Sequence, residues 1–201
     1  MGIKISYEDL EIVSPYEFQL ETLKVIREAG EHSKIQFSGM IEEKNSEEYI
    51  MKQADNGSII LNVLTKDGKQ AIFKGYITSV SIKAKNNVYY IYIEGKSTSF
   101  VIDINKIDRS FQNIKATYDT IFNEVLAPWK ANYWIPSDIE KEKQEELILQ
   151  YRETDWEFLK RIASQFGKKL VINDRLDKAT IFLGAPDNGT KKIEELSHYT
   201  V

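Results

Sequence analysis

Thr154-Asp155-Trp156-Glu157-Phe158-Leu159-Lys160-Arg161-Ile162-Ala163-Ser164-Gln165-Phe166-Gly167 carries the signals of a short amphipathic helix. Thr154 with Glu157 three positions on is a capping box: the hydroxyl accepts from an early helical N–H and the carboxylate reaches back to the cap N–H. Trp156, Leu159, Ile162, Ala163 and Phe166 recur at helical spacing and form one apolar stripe. Lys160, Arg161 and Gln165 fall on the other side. Asp155 and Glu157 sit in the first turn, where negative charge offsets the helix dipole. Gly167 closes the helix at the usual left-handed C-terminal position.

Working outward, residues 146–152 read as a strand with Leu147, Leu149 and Tyr151 on one side. Downstream, Lys169-Leu170-Val171-Ile172 is a strand and Asp174-Arg175-Leu176-Asp177 a turn. Thr180-Ile181-Phe182-Leu183-Gly184 is the hairpin partner. Upstream, Thr117 caps a helix over 118–127, with Ile121, Phe122, Val125 and Leu126 on one face, and Pro128 stops it. Residues 132–144 are polar; Ser137-x-x-Glu140 has the capping-box pattern, and both a short helix and a loop fit it.

The first half reads differently. Residues 18–28 are rich in Leu, Val and Ile without a helical stripe, and Ala29-Gly30-Glu31 is a turn. Residues 34–41 alternate polar and apolar, the period of a half-buried strand. Residues 42–48 read as a charged connector. Asp55-Asn56-Gly57 and Asn86-Asn87 are turn signals, and Lys66-Asp67-Gly68-Lys69 is a hairpin signal. Between them lie a β-branched run at 58–65 and a long extended stretch at 70–85, in which Gly75 is expected to allow a bulge or bend. Residues 88–95, with Tyr89, Tyr90 and Tyr92, are the plainest strand, and 99–104 read as a further one. Strands at this spacing predict a small antiparallel barrel or sandwich.

Composition narrows the function classes. The chain has 201 residues, 42% hydrophobic and 29% charged, enough for a true core in one or two domains. No apolar run is long enough for a membrane helix, and residues 1–8 lack the apolar core of a secretory signal. With no cysteine, disulfides and thiolate metal sites are excluded. The net charge of −4 gives no overall attraction to nucleic acid.

Candidate chemistry is sparse. Glu153 and Asp155 flank Thr154 like a glycosidase pair, but the helix-dipole reading explains Asp155 without catalysis. Asp103-x-Asn105-x-x-Asp108 resembles a calcium loop without its glycine and terminal glutamate. No nucleophile elbow, P-loop or dinucleotide fingerprint occurs. His32 reads as a surface or hydrogen-bonded turn residue, and His198 lies in the tail. Lys168-Lys169 and Lys191-Lys192 read as solvated pairs. The tyrosines of residues 89–92 offer stacking surface for bases, yet without interleaved Arg or Lys, core and subunit contacts explain them better.

Two segments carry a resemblance. Arg109-Ser110-Phe111-Gln112-Asn113, followed by Thr117-Tyr118 and a helix, is one; Gln150-Tyr151-Arg152-Glu153-Thr154-Asp155-Trp156, running on through Leu159 to Ala163, is the other. They resemble the phage late control gene D and valine-glycine-repeat spike proteins, hub and spike subunits of contractile injection machines. Phe73-Lys74-Gly75-Tyr76-Ile77, Tyr92-Ile93-Glu94-Gly95-Lys96-Ser97 and Gly30-Glu31-His32-Ser33 look like that family's barrel strands and first turn. The resemblance implies an α+β fold: a hub-type antiparallel β-barrel over residues 1–105, followed by a smaller α+β domain over 106–201 with two amphipathic helices, truncated before a second barrel. Residues 197–201 read as the start of another strand, in keeping with a longer gene product.

The resemblance further implies a structural protein, not an enzyme, without a cofactor or metal. It adapts a trimeric spike to a hexameric tube in a phage tail, tailocin or type VI-like machine. The implied partners are a homotrimer in the full-length protein, a tube protein, a spike tip and baseplate proteins; no small-molecule substrate, specific nucleic acid or membrane span is expected. The implied location is the bacterial cytoplasm during assembly, then the particle. One barrel alone is expected to give a monomer or weak oligomer. Arg109, Ser110, Phe111, Gln150, Tyr151, Thr154, Asp155, Trp156 and Leu159 are the structural motif. A tail-associated glycan-degrading enzyme and an OB-like single-strand nucleic-acid binder are the alternatives.

Overall fold

The structure is a computed structural model and describes residues 2–51 and 57–185. Seven strands form the first layer: β1 (Ile3–Tyr7), β2 (Leu10–Ser14), β3 (Gln19–Ile26), β4 (Lys34–Ile41), β5 (Ser58–Thr65), β6 (Gly68–Lys85) and β7 (Val88–Ser97). They pair antiparallel in the order β1-β2-β5-β6-β7-β4-β3. The sheet curls until β1 comes near β3, without a ladder joining them among the described residues. Alternation turns Ile35, Phe37, Ile59, Leu61, Phe73, Ile91 and Ile93 inward, all buried in one core. Register shifts between Leu20 and Thr22, Leu61 and Asn62, and Ile77 and Ser79 bend the strands, as a curled sheet requires.

Glycine 75 is not at a bulge. It stays in register with both neighbours, and an added Cβ would collide with the Lys96 carbonyl oxygen. The bends fall at its neighbours Ile72 and Thr78, so the glycine serves close backbone approach instead. The β6–β7 turn is the expected pair, Asn86 and Asn87, with φ 52° and 60°, as a two-residue hairpin demands. In the β5–β6 hairpin Lys66 and Asp67 form the turn and Gly68 already opens β6.

The charged connector at 42–48 is part of a helix, α1 (Glu43–Met51). It buries only Ser46 and Tyr49, too few for a visible stripe. Tyr49 packs edge-on to Tyr16 at 5.1 Å, and its hydroxyl accepts from the Glu17 N–H at 3.0 Å. Residues 99–104 are not a strand: a 3-10 turn spans Thr98–Asp103, burying Thr98, Ser99 and Ile102. Asp55-Asn56, Lys191-Lys192, His198 and the strand read at 197–201 lie outside the described residues.

The second region contains β8 (Lys106–Phe111), α2 (Tyr118–Leu126), β9 (Asn132–Trp134), α3 (Ser137–Glu140), β10 (Ile148–Thr154), α4 (Asp155–Gln165), β11 (Leu170–Ile172) and β12 (Thr180–Leu183). β10 pairs with β8, while β11-β12-β9 form a small sheet in which β9 runs parallel to β12. Ile121, Phe122, Val125 and Leu126 of α2 meet Phe158, Leu159, Ile162 and Ala163 of α4 in a second core. Phe158, outside the stripe read from sequence, is fully buried and stacks on Phe111 at 5.4 Å. Pro128 ends α2 in a 3-10 turn, Ala127–Trp129. Ser137 opens α3 but makes no capping bond; Pro136 holds the cap position. The fold is α+β, an antiparallel β-barrel followed by a smaller α+β region.

Candidate functional site: the seam between barrel and helices

The barrel and the helical region meet along a seam built around the N-terminus of α4. Thr154 accepts from the Glu157 N–H at 3.1 Å, while Glu157 Oε2 accepts from the Thr154 N–H at 2.9 Å. The capping box read from sequence is therefore closed in both directions. The Thr154 hydroxyl also donates to Asp103 Oδ1 at 2.7 Å, tying the cap to the 3-10 turn that leaves the barrel.

Asp155 points the other way and is 1% exposed. Its carboxylate accepts from Arg109 Nη1 at 3.1 Å, Gln150 Nε2 at 3.0 Å and Trp129 Nε1 at 2.7 Å. Arg109 also donates to Gln150 Oε1 at 3.0 Å. A buried carboxylate is tolerated only when its oxygens are satisfied, and here three elements converge on one residue. Arg109 and Gln150 are partners in the β8–β10 ladder, which explains why two distant segments bear on the same carboxylate. Trp129 belongs to this network too. Its place after Pro128 marks only a helix end in sequence, and no spacing signal links it to Asp155.

Trp156 is buried against His32, ring centroids 4.1 Å apart. His32 comes from the turn between β3 and β4 and is itself 5% exposed. Its Nδ1 shares a 2.8 Å hydrogen bond with the Ser99 hydroxyl, which in turn bonds Ser97 at 2.9 Å. Nε2 stands 3.5 Å from Asp103 Oδ2, an ion-pair distance longer than a direct hydrogen bond. Burial pushes the ring's pKa down to about 4, against the opposing pull of Asp103. The turn histidine is hydrogen-bonded, as expected, but buried at the seam.

The remaining motif residues divide by face. Phe111 and Leu159 are buried in the second core, whereas Ser110 and Tyr151 lie outside, Tyr151 at 67% exposed. Leu147 and Leu149 share that outer side. The strand side grouped from sequence is thus the wet one; Ile148 and Gln150 turn inward. At the β8–β10 register shift, Arg152 takes φ 50°, its N–H donating to Asp108 Oδ1 at 2.7 Å.

Ion pairs extend the seam. Lys160 meets Glu31 at 2.7 Å, Arg27 meets Asp174 at 2.8 Å, and Lys74 meets Asp177 at 2.8 Å. The Gly30 N–H donates to the Leu170 carbonyl at 2.7 Å. The carboxylates of Glu153 and Asp155 are held apart: Glu153 by Arg161 at 2.8 Å, Asp155 by Arg109. Asp103 and Asp108 receive Thr154 and Arg152 respectively, and among the described residues no three His, Asp or Glu side chains gather as a metal site. The arrangement fixes geometry.

A family model described as the Alg8 N-terminal domain matches residues 57–199. The chain matches no curated protein sequence. Among solved structures, it superimposes on the 43 kDa tail protein of prophage MuSo2 from Shewanella oneidensis with a TM-score of 0.64 at 16% identity, covering 86% of this chain and 53% of that one. A tail protein from Neisseria meningitidis MC58 matches with a TM-score of 0.59 at 15% identity, over 86% of this chain and 50% of that one. An E. coli component of the type VI secretion system, itself similar to the T4 tail proteins gp27 and gp5, matches with a TM-score of 0.52 at 11% identity, over 83% and 48%. The chain spans about half the length of these structures, and at such identities the likeness establishes the shared fold.

Proposed function

The chain belongs to the Alg8 N-terminal domain family, and on the fold it shares with the tail proteins we propose that it is a structural hub or spike subunit of a contractile injection machine. The observation that carries this reading is the barrel joined to the Trp156 helix through a seam in which Asp155, Trp156 and His32 are buried, within a fold common to two tail proteins over 86% of this chain. The seam's acids Glu153 and Asp155 are each engaged by their own donors.

The mechanism is geometric. Residues 1–105 form the hub barrel, and the α+β domain of residues 106–201 braces it from the periphery. The outer strands β1 and β3 leave sheet edges that need partners, and a closed ring of subunits supplies them. Three full-length subunits with two such barrels each present six around the axis and so adapt a threefold spike to a sixfold tube. The partners are then a homotrimer, the tube protein, the spike tip and the baseplate, met in the bacterial cytoplasm and kept in the particle.

Cryo-electron microscopy of particles from the source cell, with an epitope tag on this subunit, tests the reading. Density at the junction of tube and spike supports it. A tag absent from sheathed particles refutes it, as do peptidoglycan hydrolysis by the purified protein or salt-dependent single-strand DNA binding.

A further inference from the structure

Two hollows that adjoin at Thr78, one on the barrel's outer face and one reaching the 3-10 turn, together make a groove. Its polar end is bordered by Lys34, Gln36, Glu94 and Lys96. Its apolar end, about 340 Å³, lies between Tyr76, Ile77, Phe100, Val101 and Ile104. Thr78, at the β6 bulge, borders both ends.

Two features of this groove are unfavourable for the chain on its own. Lys34 and Lys96 are directly opposite in the β4–β7 ladder, and like charges so placed destabilise a sheet. Neither lysine has an ion-pair partner among the described residues, whereas Lys160, Lys74 and Arg27 nearby each do. Of the carboxylates around them, Glu94 is hydrogen-bonded by Gln36 at 2.9 Å, and Glu31, which feels the charge of Lys34, is ion-paired to Lys160 at 2.7 Å. At the other end Ile104 is 57% exposed. The two features are contiguous: the Lys96 ammonium lies 4.1 Å above the ring of Phe100, which lines the apolar end. Lys34, Lys96 and Tyr76 form one row across three strands. At about 4.8 Å per strand that row is about 10 Å long, the span of about three extended residues.

We propose that this groove is a docking site for an extended acidic–apolar segment of a partner protein, with a carboxylate over Lys34 and Lys96 and a bulky apolar side chain, about three residues away, between Tyr76 and Ile104. The charge of the unpaired lysines selects an anion, and the adjacent apolar slot selects against a purely polar one. The site lies on the barrel's outer face and does not depend on the hub reading, since the isolated chain suffices to test it.

The test is an amide-shift titration of the isotopically labelled chain with a blocked peptide bearing two aspartates and, three residues on, leucine and phenylalanine. Saturable shifts at Thr78, Lys96, Phe100 and Ile104 are expected, together with about tenfold weaker binding when Lys34→Glu and Lys96→Glu are combined. The same peptide with lysines for its aspartates should prefer the charge-reversed protein. Folding of each variant is checked by its melting temperature, and Lys34→Gln, which removes one of the two charges without adding a negative one, should weaken binding less than the double reversal does. No saturable shift at millimolar peptide overturns the proposal, as does affinity unchanged by charge reversal. Binding of octanoate where the peptide fails overturns it in favour of a small-amphiphile slot.

Discussion

Replacing Trp156 by alanine removes the ring that packs the second core against His32 of the β3–β4 turn, and its cost can be worked from the structure. The side chain is 2% exposed. A buried aromatic of this size removes roughly 150–250 Å² from water, worth about 4–6 kcal/mol at about 25 cal/mol per Å². Residual burial in the unfolded chain lowers that by roughly 10–40%. The expected loss is about 3–5 kcal/mol, the range found for truncated core aromatics. For a chain of this size it corresponds to a melting temperature lower by about 6–20 °C. The substitution also unpacks one face of His32, whose depressed pKa comes first from burial. In the variant the imidazole should titrate above about 4 and nearer its ordinary 6.5. Urea unfolding followed by circular dichroism reads the first effect. An NMR titration of the imidazole, assigned with His32→Gln, reads the second. A loss under about 1 kcal/mol would show that the helix is not docked through Trp156. A large loss with the His32 titration unmoved would show that the seam does not bury the histidine.

Acid should weaken the wild-type protein through the same ring. The folded pKa lies below the unfolded value, so the unfolded chain takes up the proton first. His32's contribution is complete above pH 6.5 and is lost as the pH falls toward about 4, an effect of about 3 kcal/mol; unfolding curves across that window should flatten in His32→Gln. Arg109→Met leaves Asp155 buried without its cation and should cost about 3–5 kcal/mol, partly recovered when Asp155→Leu is added, as a double-mutant cycle in urea would read. Thr154→Ala opens the capping box and should cost about 1–2 kcal/mol, with Thr154→Ser retaining most of the stability. Gly75→Ala forces its new methyl against the Lys96 carbonyl and should cost about 1–3 kcal/mol or more, measured as a lower urea midpoint.

Much of this architecture is written in local sequence. The α4 helix is legible because its cap, stripe and closing glycine are all contained in fourteen consecutive residues, and each signal acts on backbone within one or two turns. The strand β4 is legible for the same reason, since alternation assigns its inward face, while β5 and β7 are legible from their β-branched and aromatic runs and the turns that bound them. Where local signal is weak, only packing decides. The α1 helix has one large inward side chain, Tyr49, and exists because Tyr16 and the Glu17 backbone receive it. The stretch after Ser97 alternates well enough for a strand, yet Ser99 and Ile102 are both buried on the inner side of a 3-10 turn.

The sequence by itself determined the barrel strands β4 to β7 and the capped helices α2 and α4, because those choices rest on hydrogen bonds and periodicity between near neighbours. Tertiary structure alone decided that Arg109, Trp129 and Gln150 share the carboxylate of Asp155, and that His32 lies against Trp156. Those pairings join residues up to 124 positions apart, and the energy that selects them is the cost of leaving a buried charge or ring uncovered. That cost exists only once the chain has closed on itself.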